Sequence, residues 1–148
     1  MIGRYVIPLL IVGLVMSVVI SVSQNAGAGD RIDCAIQDGP CGKKTGSGIE
    51  VLFDVTPRPA AAMRELEFSV FLRKNGRPVA NAALLLDLSM PGMFMGNNQP
   101  RLSEEQVGRY RGQGIIPRCP TGSRIWKALI AVRQDSTVEQ VSFVFEVQ

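Results

Sequence analysis

The sequence predicts an all-β fold, a single immunoglobulin-like antiparallel β-sandwich of six to seven strands after an N-terminal hydrophobic helix. Three observations carry this. Short segments alternate apolar and polar residues with period two. Turn residues punctuate them at roughly ten-residue spacing. The only long apolar run lies at the extreme N-terminus.

That run is Tyr5 to Val22, without a charge, preceded by Arg4. As a helix it would span about 27 Å, close to the bilayer core. Ala26-Gly27-Ala28 has the small-x-small form of a cleavage site before Gly29. Residues 1–28 therefore read either as a cleaved signal peptide or as an N-terminal membrane anchor. Both place the rest of the chain outside the cytoplasm, and the expected location is periplasmic, secreted or anchored to the inner membrane by residues 5–22. Arg31-Ile32-Asp33 before Cys34 is too polar for a lipobox.

Residues 29–48 are rich in Gly, Asp and Lys and read as a flexible arm containing Cys34 and Cys41, outside the core. The sandwich domain is expected over 49–148. Ile49, Val51, Phe53 and Val55 share one face of a first strand. Leu66, Phe68, Val70 and Leu72 do the same in a second. Lys74-Asn75-Gly76-Arg77 is a hairpin turn. Val79 to Leu88 reads as one strand, apolar on both faces near Leu84-Leu85-Leu86, which suits a central strand or a covered edge. Helix propensity alone would also permit a short helix over Ala80–Leu88. Ser89 to Pro100 is a loop, and Glu104-Glu105 sit in a polar turn. Val107 to Ile116 is a strand with a candidate buried Tyr110; its glycines at 108, 112 and 114 suggest bulges or close backbone approach. Arg124–Arg133 and Val138–Val147 complete the set.

Composition narrows the function. Arg4 is the only charge before Gly29, so the exported part carries 15 basic and 13 acidic residues, scattered along the chain. That balance excludes an electrostatic nucleic-acid binder. There is no histidine. The usual general base, the Ser-His and Cys-His nucleophiles and the commonest zinc and copper(II) ligand are thus missing. No carboxylate pair compensates, so the chain is not expected to be an enzyme. A protein partner, in the membrane or the periplasm, is expected instead.

One chemical lead remains. Met90, Met93 and Met95 fall in the run Met90-Pro91-Gly92-Met93-Phe94-Met95. Thioethers are soft, uncharged ligands that favour copper(I). A Pro-Gly turn can bring Met90 towards Met93, and Met93 and Met95 share a side of an extended segment. Methionines equally serve as gap fillers at the end of a sandwich. Three cysteines cannot all pair internally. A Cys34–Cys41 bond would leave Cys119 free to join the methionines in a copper(I) set. A bond from Cys119 to Cys34 or Cys41, or a buried inert thiol, are the alternatives. Asp87 is expected to hold the methionine loop through backbone N–H groups, and Asn97-Asn98 to form a turn.

Met90 to Asn97, followed by Leu102, Gly108-Arg109-Tyr110-Arg111-Gly112 and Trp126, resembles the YtkA-like and FixH-like periplasmic domains over roughly Ile49 to Gln148. The resemblance implies a small secreted or membrane-anchored immunoglobulin-like sandwich, associated with metal handling or cytochrome oxidase assembly, with copper as the link. The methionine loop here lacks histidine, so the ligands that carry over are the methionines, with Cys119.

Overall fold

The structure is a computed structural model that describes residues 31–148. The apolar run at 5–22 and the site at 26–28 lie outside the described residues. No helix occurs among the described residues, and the strands form two antiparallel sheets.

The larger sheet is built from β1 (Cys41–Lys44), β2 (Ile49–Thr56), β3 (Glu65–Lys74), β4 (Arg77–Pro78), β6 (Ser103–Gln106) and β7 (Arg109–Ile115). Its order is β1-β2-β3-β7-β6, with β4 paired to β3. The smaller sheet contains β5 (Ala83–Ser89), β8 (Ile125–Gln134) and β9 (Thr137–Glu146), in the order β5-β8-β9.

The alternation read in the sequence decides which face turns inward. Val51, Phe53 and Val55 of β2 and Phe68, Val70 and Leu72 of β3 are buried. Trp126, Ala128, Ile130 and Val132 of β8 meet them from the other sheet. Phe53 stacks on Phe143 of β9 with ring centroids 5.4 Å apart, which joins the two layers. Full burial of one such ring stabilises the fold by about 1.5–3 kcal/mol. Among the described residues the core side chains run from Cys34 to Val147 and are drawn from both sheets.

The structure corrects four expectations. First, residues 31–48 are not a free arm. Cys34 and Ile36 are buried, and Cys41–Lys44 forms β1 against β2. The N–H groups of Asp33 and Cys34 both donate to Val144 O at 3.0 Å, covering the outer edge of β9. The Gln37 side chain donates to Ala60 O and Glu146 O and accepts from Ala60 N–H, clamping the segment to both sheets. A polar segment is ordered here because backbone groups at a sheet edge need partners.

Second, Val79 to Leu88 is not one continuous strand, and of the two placements expected for it, central or at a covered edge, the strand that does form takes the edge. Arg77–Pro78 pairs with β3, whereas Ala83–Ser89 lies at the edge of the other sheet, with Leu85 exposed. The chain crosses between sheets at 79–82, where Ala82 N–H donates to the buried Tyr110 hydroxyl at 3.0 Å. Third, Glu104-Glu105 lies in strand β6 rather than in a turn. The Glu104 carboxylate accepts N–H bonds from Gly108 and Asn81, which draws the segment alongside β7. Fourth, nine strands form among the described residues where six to seven were expected, because β1, β4 and β6 are short and polar.

The glycine reading is confirmed at Gly112. A Cβ there would stand 2.0 Å from Arg101 O, so the chain leaving the methionine loop runs directly over the β7 backbone.

Candidate metal centre

Sheet register brings the two candidate loops to one end of the sandwich. Ser89, the last residue of β5, pairs with Lys127 near the start of β8. The methionine loop therefore leaves its sheet where the Ile116–Arg124 connection enters. Met63 N–H donates to Ile116 O at 2.8 Å, bringing the β2–β3 connection to the same end.

Within the methionine loop, Pro91 and Gly92 occupy the two middle positions of a turn, and Gly92 has φ 73°. Proline followed by a residue at positive φ is the arrangement of a type II turn. Met90 and Met93 face each other as an isolated antiparallel bridge, and Met93 N–H donates to Met90 O at 3.2 Å. The expected convergence of Met90 and Met93 thus holds at the backbone. Met90 is buried in the core, and Met93 and Met95 are half-buried against it while Phe94 between them is exposed.

Cys119 is a free, buried thiol. The arm cysteines take the first of the pairings considered from sequence, Cys34–Cys41. A structural disulfide accords with an oxidising, extracytoplasmic compartment.

The central contact of the site is between the loops. Cys119 Sγ lies 3.7 Å from Met93 Sδ. Two sulfurs each about 2.3 Å from one ion, at a tetrahedral angle, stand about 3.8 Å apart. The pair therefore has a spacing that a shared soft ion accepts. The Thr121 hydroxyl, 3.0 Å from Sγ, holds the thiol below its ordinary pKa, aided by N–H groups of Thr121, Ser123 and Gly122 and opposed by burial. Thr121 was not singled out in the sequence. Its signal is the run Cys119-Pro120-Thr121-Gly122, in which Gly122 at φ 80° turns the chain back, with Gly122 N–H donating to Cys119 O at 3.0 Å. A cleft lined by Arg118, Cys119, Ser123, Arg124 and Trp126 opens beside the thiol.

The loop is anchored differently from the expectation for Asp87. Its carboxylate accepts from the Gln99 side chain at 3.4 Å rather than from the loop's backbone. Asn98 ties the loop down, donating from its side chain to Ile115 O while its own carbonyl accepts Leu88 N–H. Among the described residues no group of three or more His, Cys, Asp or Glu side chains is placed to hold a metal. What the site offers is one thiol and neighbouring thioethers.

No family model matches the sequence, and no curated protein matches it.

Proposed function

We propose that this chain is an extracytoplasmic metal-handling module that binds one copper(I) ion through Cys119 and Met93, with Met90 and Met95 as the supporting thioethers. The 3.7 Å approach of two sulfurs from separate loops carries this reading. Soft sulfur donors suit copper(I). Charge favours it too. One thiolate with neutral thioethers balances a monovalent ion, whereas a divalent ion would leave a net charge in a poorly hydrated site.

The resemblance to YtkA-like and FixH-like domains supports an immunoglobulin-like type of sandwich and a place in metal handling or oxidase assembly. The apolar run at 5–22 supports a periplasmic or inner-membrane location. Binding needs no catalytic set, and we assign the chain no enzymatic step. A second reading, a metal-free docking module for a membrane or periplasmic protein, is favoured by one observation, the exposure of Phe94 within the same loop.

Anaerobic titration of residues 31–148 with copper(I) against a competing chelator tests the proposal. One ion retained per chain, and lost in Cys119→Ser and in Met93→Leu, is the expected result. A chelator that keeps all the copper would overturn it and leave the docking reading.

A further inference from the structure

The end of the sandwich that carries Met93 and Cys119 also carries the most exposed large apolar side chain described. Phe94 is 88% exposed, bracketed by Gly92 and Gly96, both at positive φ. Met63 (62%) and Ile115 (51%) are exposed at the same end. The Met63 N–H bond to Ile116 and the Asn98 bond to Ile115 connect these positions to the methionine loop.

Three connections at this end, residues 57–64, 90–100 and 116–124, contain four arginines and no aspartate or glutamate, whereas the segment 31–40, tied to the same end through Gln37 and Ile36, adds Arg31, Asp33 and Asp38. Arg58 pairs with Asp54 and Arg124 with Glu146. Arg64 and Arg118 are exposed and take part in no ion pair among the described residues. The other acidic groups near this end are Glu65, Asp87, Asp33 and the exposed Asp38; Asp87 is engaged by Gln99 and Asp33 by Lys43.

We infer that this end seats on an anionic lipid surface, with the Phe94 ring entering the interfacial layer and Arg64 and Arg118 facing the headgroups. Three separated apolar side chains, two on loops and Ile115 at the end of β7, suit a bilayer interface, which needs no complementary pocket. A protein interface is instead built around a close-packed core. Arginine beside an apolar tip can keep its charge at the headgroups while its stem lies on apolar surface. The apolar run at 5–22 is expected to bring the chain to a membrane in any case. The inference does not depend on copper binding, since Phe94 is not a ligand.

The test is cosedimentation of residues 31–148, which contain both sheets and the core packed between them, with vesicles of equal parts phosphatidylcholine and phosphatidylglycerol. Binding is expected to fall by about tenfold to a hundredfold in Phe94→Ser. Arg64→Gln and Arg118→Gln should each weaken it by about fivefold, and high salt, which screens both, by about twenty-fivefold. Leu85→Ser, which removes an exposed leucine from the outer face of the small sheet, should leave it unchanged. Absence of binding, or equal binding by Phe94→Ser, would overturn the inference. So would a photo-crosslinker at position 94 that captures a protein in cells while vesicles fail to bind. All four variants change exposed side chains, so folding is retained in each.

Discussion

Met93 and Cys119, separated by 26 residues in sequence, bring a thioether and a thiol within 3.7 Å of each other. No strand contains both. They meet because β5 and β8 are neighbours in one sheet, so the loop after one and the loop before the other share an end of the sandwich. The site therefore depends on the sheet register as much as on its own residues.

The register is exposed to attack at Gly112. A Cβ there would collide with the Arg101 backbone, which has no flexible side chain to yield. Gly112→Ala is expected to destabilise the domain by about 1–3 kcal/mol, the usual magnitude of overpacking. Urea unfolding measures this. Because Arg101 lies just beyond the methionine loop, the variant should also weaken copper(I) binding more than Gly46→Ala, where an added Cβ meets nothing within 4 Å.

The Cys34–Cys41 bond should act on the fold and not on the site. It closes a short loop, for which chain entropy gives about 2.5 kcal/mol of stabilisation. A Cys34→Ser, Cys41→Ser double variant is expected to lose roughly that much in urea unfolding. It should still retain one copper(I) with undiminished affinity, since Cys119 is untouched. Loss of metal binding in this variant with the fold intact would implicate the wrong cysteines.

Acid should weaken the domain through Glu104. Its carboxyl pKa lies below the ordinary value, chiefly because Gly108 N–H donates to it, with Asn81 N–H and the Tyr110 hydroxyl adding and burial opposing. The unfolded chain then binds the proton more readily, so this stabilisation is fully present above the unfolded pKa. It is lost as pH falls through the folded one. Glu104→Gln should therefore be less stable than the parent at neutral pH, with the difference closing in acid. Equal spacing of the two unfolding curves at both pH values would count against this role.

Protons should also compete with copper. The Cys119 thiol is lowered first by the Thr121 hydroxyl, so the thiolate persists to lower pH than an ordinary thiol would allow. Copper(I) affinity is expected to be level at high pH and to decline once pH falls below the thiol pKa. In Thr121→Val the decline should begin at higher pH. In Cys119→Ser the residual affinity should be weak and flat with pH, because thioethers bind no proton in this range. Chelator competition across a pH series distinguishes these profiles.

Much of the sandwich was legible from alternation. The strands β2, β3 and β8 alternate buried with less buried positions, so Val51, Phe68 and Trp126 declare their orientation, and β9 does the same up to Phe143, after which Val144 is buried as well. The segments that were misread are the polar edges. Cys41–Lys44 and Ser103–Gln106 have no apolar face, and what fixes them is pairing with distant strands. Leu84-Leu85-Leu86 suited either a central strand or a covered edge because hydrophobicity was read as burial; β5 is an edge strand, and Leu85 on it is 48% exposed. At the site, the residue types and the Pro-Gly turn were readable. The meeting of Met93 with Cys119 was not, since it follows from which strands neighbour one another. Thr121 was missed because a hydroxyl near a cysteine gives no periodic signal.

X-ray absorption at the copper edge, on residues 31–148 loaded with one equivalent of copper(I), tests the central claim most directly. The account requires a first shell of sulfur alone, at about 2.3 Å, with one sulfur fewer in Met93→Leu and again in Cys119→Ser. A shell dominated by oxygen or nitrogen, or a sulfur count that neither substitution alters, would contradict it.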